Sequence, residues 1–189
     1  GRVTTALADV EDEEGLRGIV ADVDLVVGAT SHAHHGPVLA ACALDAGASY
    51  VGIYLSDRAK WERLRMLDER CRARGVMVVD DAGCHPGLPG AMVRFASTGG
   101  ALSTAWVGAK FALDWGGSGV VRDTVADFLT EVETTDPSVF VDGRWVRGYR
   151  HARRFDFRRG AGPESCVPMC LEEIREVADS GAVGSTGFF

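Results

Sequence analysis

Apolar and polar positions in the first half of the chain follow strand-like and helix-like periods in turn. Short apolar runs predict β-strands at residues 4–8, 24–28, 49–53 and 76–79. Helical periods lie between them, with helices predicted to begin in the acidic stretch 11–14, at Gly36 and at Asp57, the last reaching Arg74. The run 24–28 is almost uniformly apolar, which predicts burial on both faces of a parallel sheet. The pattern predicts an α/β fold with a doubly wound parallel sheet.

The pattern changes after Ala91. Residues 101–113 predict a long strand, and apolar positions between 121 and 132 predict an amphipathic helix. Residues 139–146 predict a hairpin with Asp142 and Gly143 as its turn. A short strand at 155–157 and a helix at 168–178 follow. We therefore predict two domains, 1–91 and 92–189. The second is an α+β domain whose last helix returns to the first.

The composition of the chain restricts its partners. A hydrophobic content of 46% over 189 residues supplies a core, and the net charge of −7 disfavours a nucleic acid partner, since phosphate binding needs a basic surface. The Arg-rich stretch 144–159 is a local exception, for which a solvated strand face or an anion contact is favoured. The sequence contains no apolar run of the ~20 residues that a membrane span requires and no signal-peptide pattern. We expect a cytoplasmic protein without a membrane partner.

The cysteines and histidines do not form a recognisable ligand set. Five cysteines at irregular spacing fit reduced thiols better than a disulfide framework. Cys166 and Cys170 could share a helical face but lack a second pair of ligands. His32, His34 and His35 lie within four residues of one another, and a polar helix entry is favoured over a metal site there.

The ends of the predicted strands are the places to look for a ligand site, because open α/β sheets bind ligands at the carboxyl ends of their strands. Asp9 and Val10 follow the first strand, where Asp9 could contact an adenosine or cap the next helix. Ala29, Thr30 and Ser31 follow the second. Their small side chains let a dinucleotide approach the backbone, although small loops also serve packing alone.

The loop 80–88 combines two carboxylates, a thiol, an imidazole and two glycines after an apolar strand. Gly83 and Gly87 allow a tight turn, and the helix that begins near Gly87 offers N–H groups to an anion such as a substrate carboxylate. His85 is a candidate proton donor or acceptor, with a loop histidine bonded to the backbone as the alternative. Cys84 would be a nucleophile if a base lay within reach, which leaves a hydrolase as another possibility.

Several of these segments resemble one protein family. Residues 24–30, 37–51 and 76–89 resemble the later Rossmann strands of saccharopine-dehydrogenase-like NAD(P)-dependent oxidoreductases. The likeness covers residues 1–97 and depends most on the Gly-x-x-Pro-Gly-Leu loop. Downstream, Leu113-Asp-Trp, the helix from Asp123 and the tail from Gly181 resemble that family's inserted substrate and dimerisation domain.

The resemblance implies a function and a set of roles. The implied reaction is hydride transfer between NAD or NADP and the carbon of a C–N bond that joins an amino acid to an oxo acid, in a homodimer. The implied site residues fall into three groups. They are Asp9, Val10, Ala29, Thr30 and Ser31 at the cofactor, Asp81, Gly83, Pro86 and Gly87 at the substrate, and His85 as the catalytic residue.

Two features depart from the family pattern. No Gly-x-Gly-x-x-Gly turn precedes Asp9, so the main pyrophosphate contacts are missing and we expect weak or no nicotinamide binding by these 189 residues alone. Gly52 stands where the family often has Asp, which predicts the loss of a polar contact at the mouth of the site. The alternative function is a non-catalytic Rossmann-like binding or dimerisation module.

Overall fold

The computed structural model describes residues 3–30, 35–53, 58–111, 122–158 and 162–189. The chain divides into two compact units, Gly1–Gly87 and Leu88–Phe189. None of the described helices has the length and apolar content needed to cross a membrane.

The described part of the first unit holds a parallel sheet with the strand order β1 (Leu25–Gly28), β2 (Ser49–Gly52) and β3 (Val78–Val79). Its helices are α1 (Glu13–Val20), α2 (His35–Ala46), α3 (Arg58–Arg65) and α4 (Asp68–Arg74). Helical crossovers join the strands, as parallel pairing requires. The predicted parallel α/β architecture is confirmed, and the doubly wound arrangement stays a prediction.

Local signals set the helix limits of this unit. Asp12 caps α1 by accepting a hydrogen bond from the Gly15 N–H at 3.0 Å. Gly47 and Gly75 end α2 and α4 with positive φ values of 79° and 66°. The predicted single helix from Asp57 to Arg74 is instead two helices, because the chain turns between α3 and α4.

Two predictions about the sheet are wrong. Residues 3–9 form no strand, and Val3 and Leu7 are 89% and 101% exposed, because no neighbouring strand pairs with this segment in the described chain. Strand β1 is buried on one face only. Val26 packs into the core, whereas Leu25 and Val27 on the other face are 50% and 57% exposed. An apolar run predicts a strand but does not show which of its faces is covered.

The described part of the second unit has a mixed sheet with the order β4 (Leu102–Val107), β9 (Val183–Phe188), β5 (Ser138–Val141) and β6 (Arg144–Arg147). Strand β4 runs parallel to β9, and β5 and β6 form the predicted hairpin. Asp142 and Gly143 at its turn have φ values of 49° and 76°. The strand predicted for 101–113 is shorter, since β4 ends at Val107.

The remaining elements of the second unit are α5 (Leu88–Ala96), α6 (Arg122–Thr134), α7 (Glu172–Asp179) and the antiparallel pair β7 (Arg153–Asp156) and β8 (Pro163–Cys166). Helix α7 packs on β9 and α5 through a buried face that includes Ile174 and Val177. Its predicted return to the first domain stays a prediction.

Candidate functional site

The carboxyl ends of β1, β2 and β3 meet at one edge of the first sheet. Gly28 lies opposite Gly52 in register, and Asp80 follows β3 directly. The loop after β3 returns to this edge, where the Ala82 N–H donates to the Gly52 carbonyl at 2.9 Å. Ligands of open α/β sheets bind at such an edge. It is therefore the candidate site.

A buried ion pair lies at this edge. Lys60 Nζ, from the first turn of α3, is 2.7 Å from Asp80 Oδ2, and the two side chains are 2% and 1% exposed. Tyr50 of β2 lies against the same groups. Its burial, with a smaller contribution from the Asp80 charge, raises the pKa of the Tyr50 phenol to about 12, so it is neutral at physiological pH.

Three glycines provide the space that these side chains occupy. A methyl group at Gly36 would lie 2.8 Å from Lys60 Cε, and one at Gly28 would overlap the Tyr50 hydroxyl. A methyl group at Gly52 would overlap the Asp80 carboxylate. Gly52 is the position at which the resembling family often has Asp, and here the carboxylate of Asp80 already fills that space. Glycine at this position is a steric requirement of the Asp80 side chain.

The loop 81–87 closes on itself through its backbone. The Gly83 N–H donates to the Pro86 carbonyl at 2.9 Å. Gly87 has a φ of 124°, and a side chain there would overlap the Asp81 and Gly83 carbonyls. Asp81 adopts a positive φ of 55°, and its buried carboxylate accepts a hydrogen bond from Trp61 Nε1 at 3.2 Å. The Asp81 side chain is thus tied to α3, and that of Pro86 is fully buried.

His85 and Cys84 are the side chains of the loop that carry candidate chemistry. Cys84 is exposed and His85 is half-buried. Burial lowers the pKa of the His85 imidazole from its ordinary value, and a backbone hydrogen bond opposes this to a smaller extent. At neutral pH the imidazole is therefore uncharged and able to take up a proton. The Cys84 thiol has no hydrogen-bond partner among the described residues, so none of them is placed as a base for it.

The predicted cofactor residues lie in two places. Ala29 is exposed and Thr30 half-buried directly after β1, at the same edge as the loop 81–87. Asp9 accepts a hydrogen bond from the Glu11 N–H at 2.9 Å, and Val10 packs against the core of the unit. Asp9 is thus a turn residue just before α1, while Asp12 caps the helix. Ser31 lies outside the described residues.

The start of α5 does not offer all of its N–H groups to a ligand. Glu173, from α7, is 8% exposed and accepts a hydrogen bond from the Gly90 N–H at 2.9 Å. This carboxylate occupies the favourable position at the positive end of the helix dipole and would repel a second anion. The sequence expectation of an anion at this helix start is therefore disfavoured by a residue far downstream in the chain.

The described residues contain no group of three or more His, Cys, Asp or Glu side chains that could hold a metal ion. His32 and His34 lie outside those residues, so the predicted polar helix entry is not described in full. All five cysteines are free thiols.

Comparison with solved structures identifies the fold. Apo histidine-tagged saccharopine dehydrogenase (L-Glu forming) from Saccharomyces cerevisiae matches with a TM-score of 0.63 and 17% sequence identity, over 96% of this chain and 43% of that chain. The fold resembles that of saccharopine dehydrogenase. The crystal structure of a "putative oxidoreductase" from Klebsiella pneumoniae gives a TM-score of 0.35 at 19% identity, over 92% of this chain and 47% of that chain, which is too low to argue from.

This likeness extends to fold and not to sequence. No protein-family model matches the chain, and no curated protein sequence does. The chain spans 43% of the yeast enzyme, so it corresponds to less than half of that molecule. The sequence-based resemblance to saccharopine dehydrogenase is thus supported at the level of the fold.

Proposed function

We propose that the chain belongs to an NAD(P)-dependent oxidoreductase of the saccharopine dehydrogenase type. The observation that carries the proposal is the meeting of the strand ends Gly28 and Gly52 with Asp80, where the loop 81–87 folds back on the sheet. This edge is where doubly wound folds place a cofactor. The likeness of fold to a saccharopine dehydrogenase supports the same assignment.

The residues at the edge fit a nicotinamide cofactor. Ala29 is small and exposed, which permits close approach to the strand end, and Thr30 has a hydroxyl that can hydrogen-bond ribose or phosphate. When bound, NAD or NADP supplies hydride chemistry. The loop 81–87, closed by the hydrogen bond from the Gly83 N–H to the Pro86 carbonyl, forms the substrate side of the proposed site.

His85 is the proposed acid–base residue. Because burial lowers the pKa of its imidazole, it is neutral at pH 7 and can exchange a proton with the nitrogen of an amino-acid-derived substrate. His85→Ala is expected to lower kcat by about 10²–10⁴-fold for any substrate that the protein oxidises. Unchanged turnover in this variant would remove His85 from the mechanism. The proposed substrate is a small amino-acid-like molecule, and the proposed assembly is a homodimer.

Nuclear magnetic resonance titration tests the cofactor site even if binding is weak. NADH and NADPH should shift the amide signals of Ala29, Thr30 and Ile53. Ala29→Trp should abolish these shifts, because its side chain would fill the space at the carboxyl end of β1. Ala73→Trp, the same substitution at an exposed position of α4, should leave them unchanged.

Two results would contradict the proposal. One is a set of shifts, induced by either cofactor, that lies elsewhere in the chain and spares Ala29, Thr30 and Ile53. The other is an equal response from the two tryptophan variants. A folded protein without these shifts would favour the non-catalytic module.

A further inference from the structure

Arg153 in the second unit lies flat on an aromatic surface. Its guanidinium carbon is 3.6 Å from the centroid of the Trp106 ring, which is van der Waals contact, and 5.9 Å from that of Phe189. Trp106 packs edge-on against Phe189, and Phe189 packs against Phe155 with ring centroids 5.5 Å apart. Phe189 is 5% exposed. The ring beneath the guanidinium is therefore held by a buried neighbour.

The backbone fixes this aromatic group. The Phe189 N–H donates to the Val107 carbonyl at 2.9 Å, and the Ala109 N–H donates to the Phe189 carbonyl at 2.7 Å. Trp106 thus lies on the edge strand β4, and Phe189 directly follows the neighbouring strand β9. Arg153 reaches them from β7, so the stacked arrangement joins the sheet to the β7–β8 pair.

The charge of Arg153 is not balanced by an ion pair within the described chain. Glu164 lies on β8 opposite Phe155, but its carboxylate pairs with Lys110 at 2.5 Å. Arg153 itself makes no hydrogen bond or ion pair with any described residue. Its side chain is exposed.

A second stacked arginine in the same unit shows the contrast. Arg175 lies 4.6 Å from the Trp145 ring centroid and forms ion pairs with both Asp136 and Glu172. Its donors serve the internal structure of the unit. Arg153 has the same kind of stacking without a carboxylate partner.

This geometry suits recognition of a carboxylate. A guanidinium stacked on a ring keeps its N–H donors in the plane, where they match the two oxygens of a carboxylate. Stacking also reduces the side-chain entropy that binding would cost. We propose that Arg153, stacked on Trp106, anchors the carboxylate of a small-molecule ligand on the second unit. The ligand class is a small carboxylate, for which the guanidinium supplies two parallel donors. The proposal concerns this unit alone and does not depend on nicotinamide binding.

Titration with glutarate tests the proposal. At constant ionic strength, glutarate should produce saturable shifts in the Arg153 Nε–H and Trp106 Nε1–H signals, and the uncharged glutaramide should not. Inorganic phosphate is the competing probe, because a guanidinium can also bind phosphate through two parallel hydrogen bonds. Tighter binding of phosphate than of glutarate would refute carboxylate as the ligand class.

Variants locate the site. Arg153→Gln should abolish the saturable shift of Trp106, and Arg153→Lys should weaken it at least about tenfold, because lysine keeps the charge but not the planar donors. Arg154→Gln is the matched control, since the adjacent residue is equally basic but its side chain points to the other face of β7. It should change the affinity by less than about twofold.

Retained amide dispersion in each variant would show that the fold is intact. Loss of binding in Arg154→Gln equal to that in Arg153→Gln would show a diffuse charge effect and overturn the proposal. So would the absence of any saturable shift with glutarate up to tens of millimolar.

Discussion

Removal of one partner of the Lys60–Asp80 ion pair should destabilise the protein by about 3–5 kcal/mol, because it takes away the opposite charge that lies against a buried one. The side chains are 2% and 1% exposed, so water cannot replace the missing partner. The variants are Lys60→Met and Asp80→Asn, which approximately preserve volume. Each should lose much more free energy of unfolding than a variant that removes one partner of an exposed ion pair.

Urea unfolding followed by far-ultraviolet circular dichroism at pH 7 measures the free energy of unfolding of each variant. The double variant Lys60→Met/Asp80→Asn removes both charges and should be more stable than either single variant. Arg58→Met is the control in the same helix. Its partner Glu62 is 3.1 Å away, but the two side chains are 84% and 67% exposed, so no measurable change is expected.

Two outcomes would refute this reasoning. One is single variants as stable as Arg58→Met. The other is a double variant whose loss of unfolding free energy equals the sum of the losses in the two single variants. That result would mean that the two charges do not interact.

Three further predictions concern glycines and His85. Gly52→Ala should lower the free energy of unfolding by about 1–3 kcal/mol, because the added methyl group overpacks against Asp80. Gly18→Ala, in open space on α1, should raise it by about 0.5–1 kcal/mol. Thermal unfolding that shows the same sign for both variants would contradict this. Gly87→Ala should destabilise strongly because of its φ of 124° and the carbonyls beside it, and Gly99→Ala, with nothing within 4 Å, should not. Because burial lowers the folded-state pKa of His85, its contribution to stability is present above the unfolded value of about 6.5 and is lost as the pH falls through the folded value. Unfolding at pH 7 and pH 5 should show a smaller fall in stability for His85→Asn than for the natural chain, and an imidazole resonance that titrates above 6.5 would exclude this account.

Much of the fold follows from local sequence patterns. The alternating periods of residues 24–79 predict the parallel strands and their helices, because βαβ connections are dictated by the order of elements along the chain. Asp142-Gly143 predicts the β5–β6 hairpin because its turn requires two residues that tolerate positive φ. The position of the candidate site follows as well, since parallel strands bring their carboxyl ends to one edge.

The polar contents of that site depend on tertiary structure. Lys60 lies in the first turn of a helix, where a lysine is normally solvated, and only the fold places it beside Asp80 under Gly36 and Gly52. In the same way, the Glu173 carboxylate accepts a hydrogen bond from the N–H of Gly90, which lies 83 residues earlier in the chain. The sequence by itself determined the kinds and order of the elements, because backbone preferences act over a few residues. Which charges are buried together, and which sheet face stays open, was decided by contacts between residues far apart in the chain.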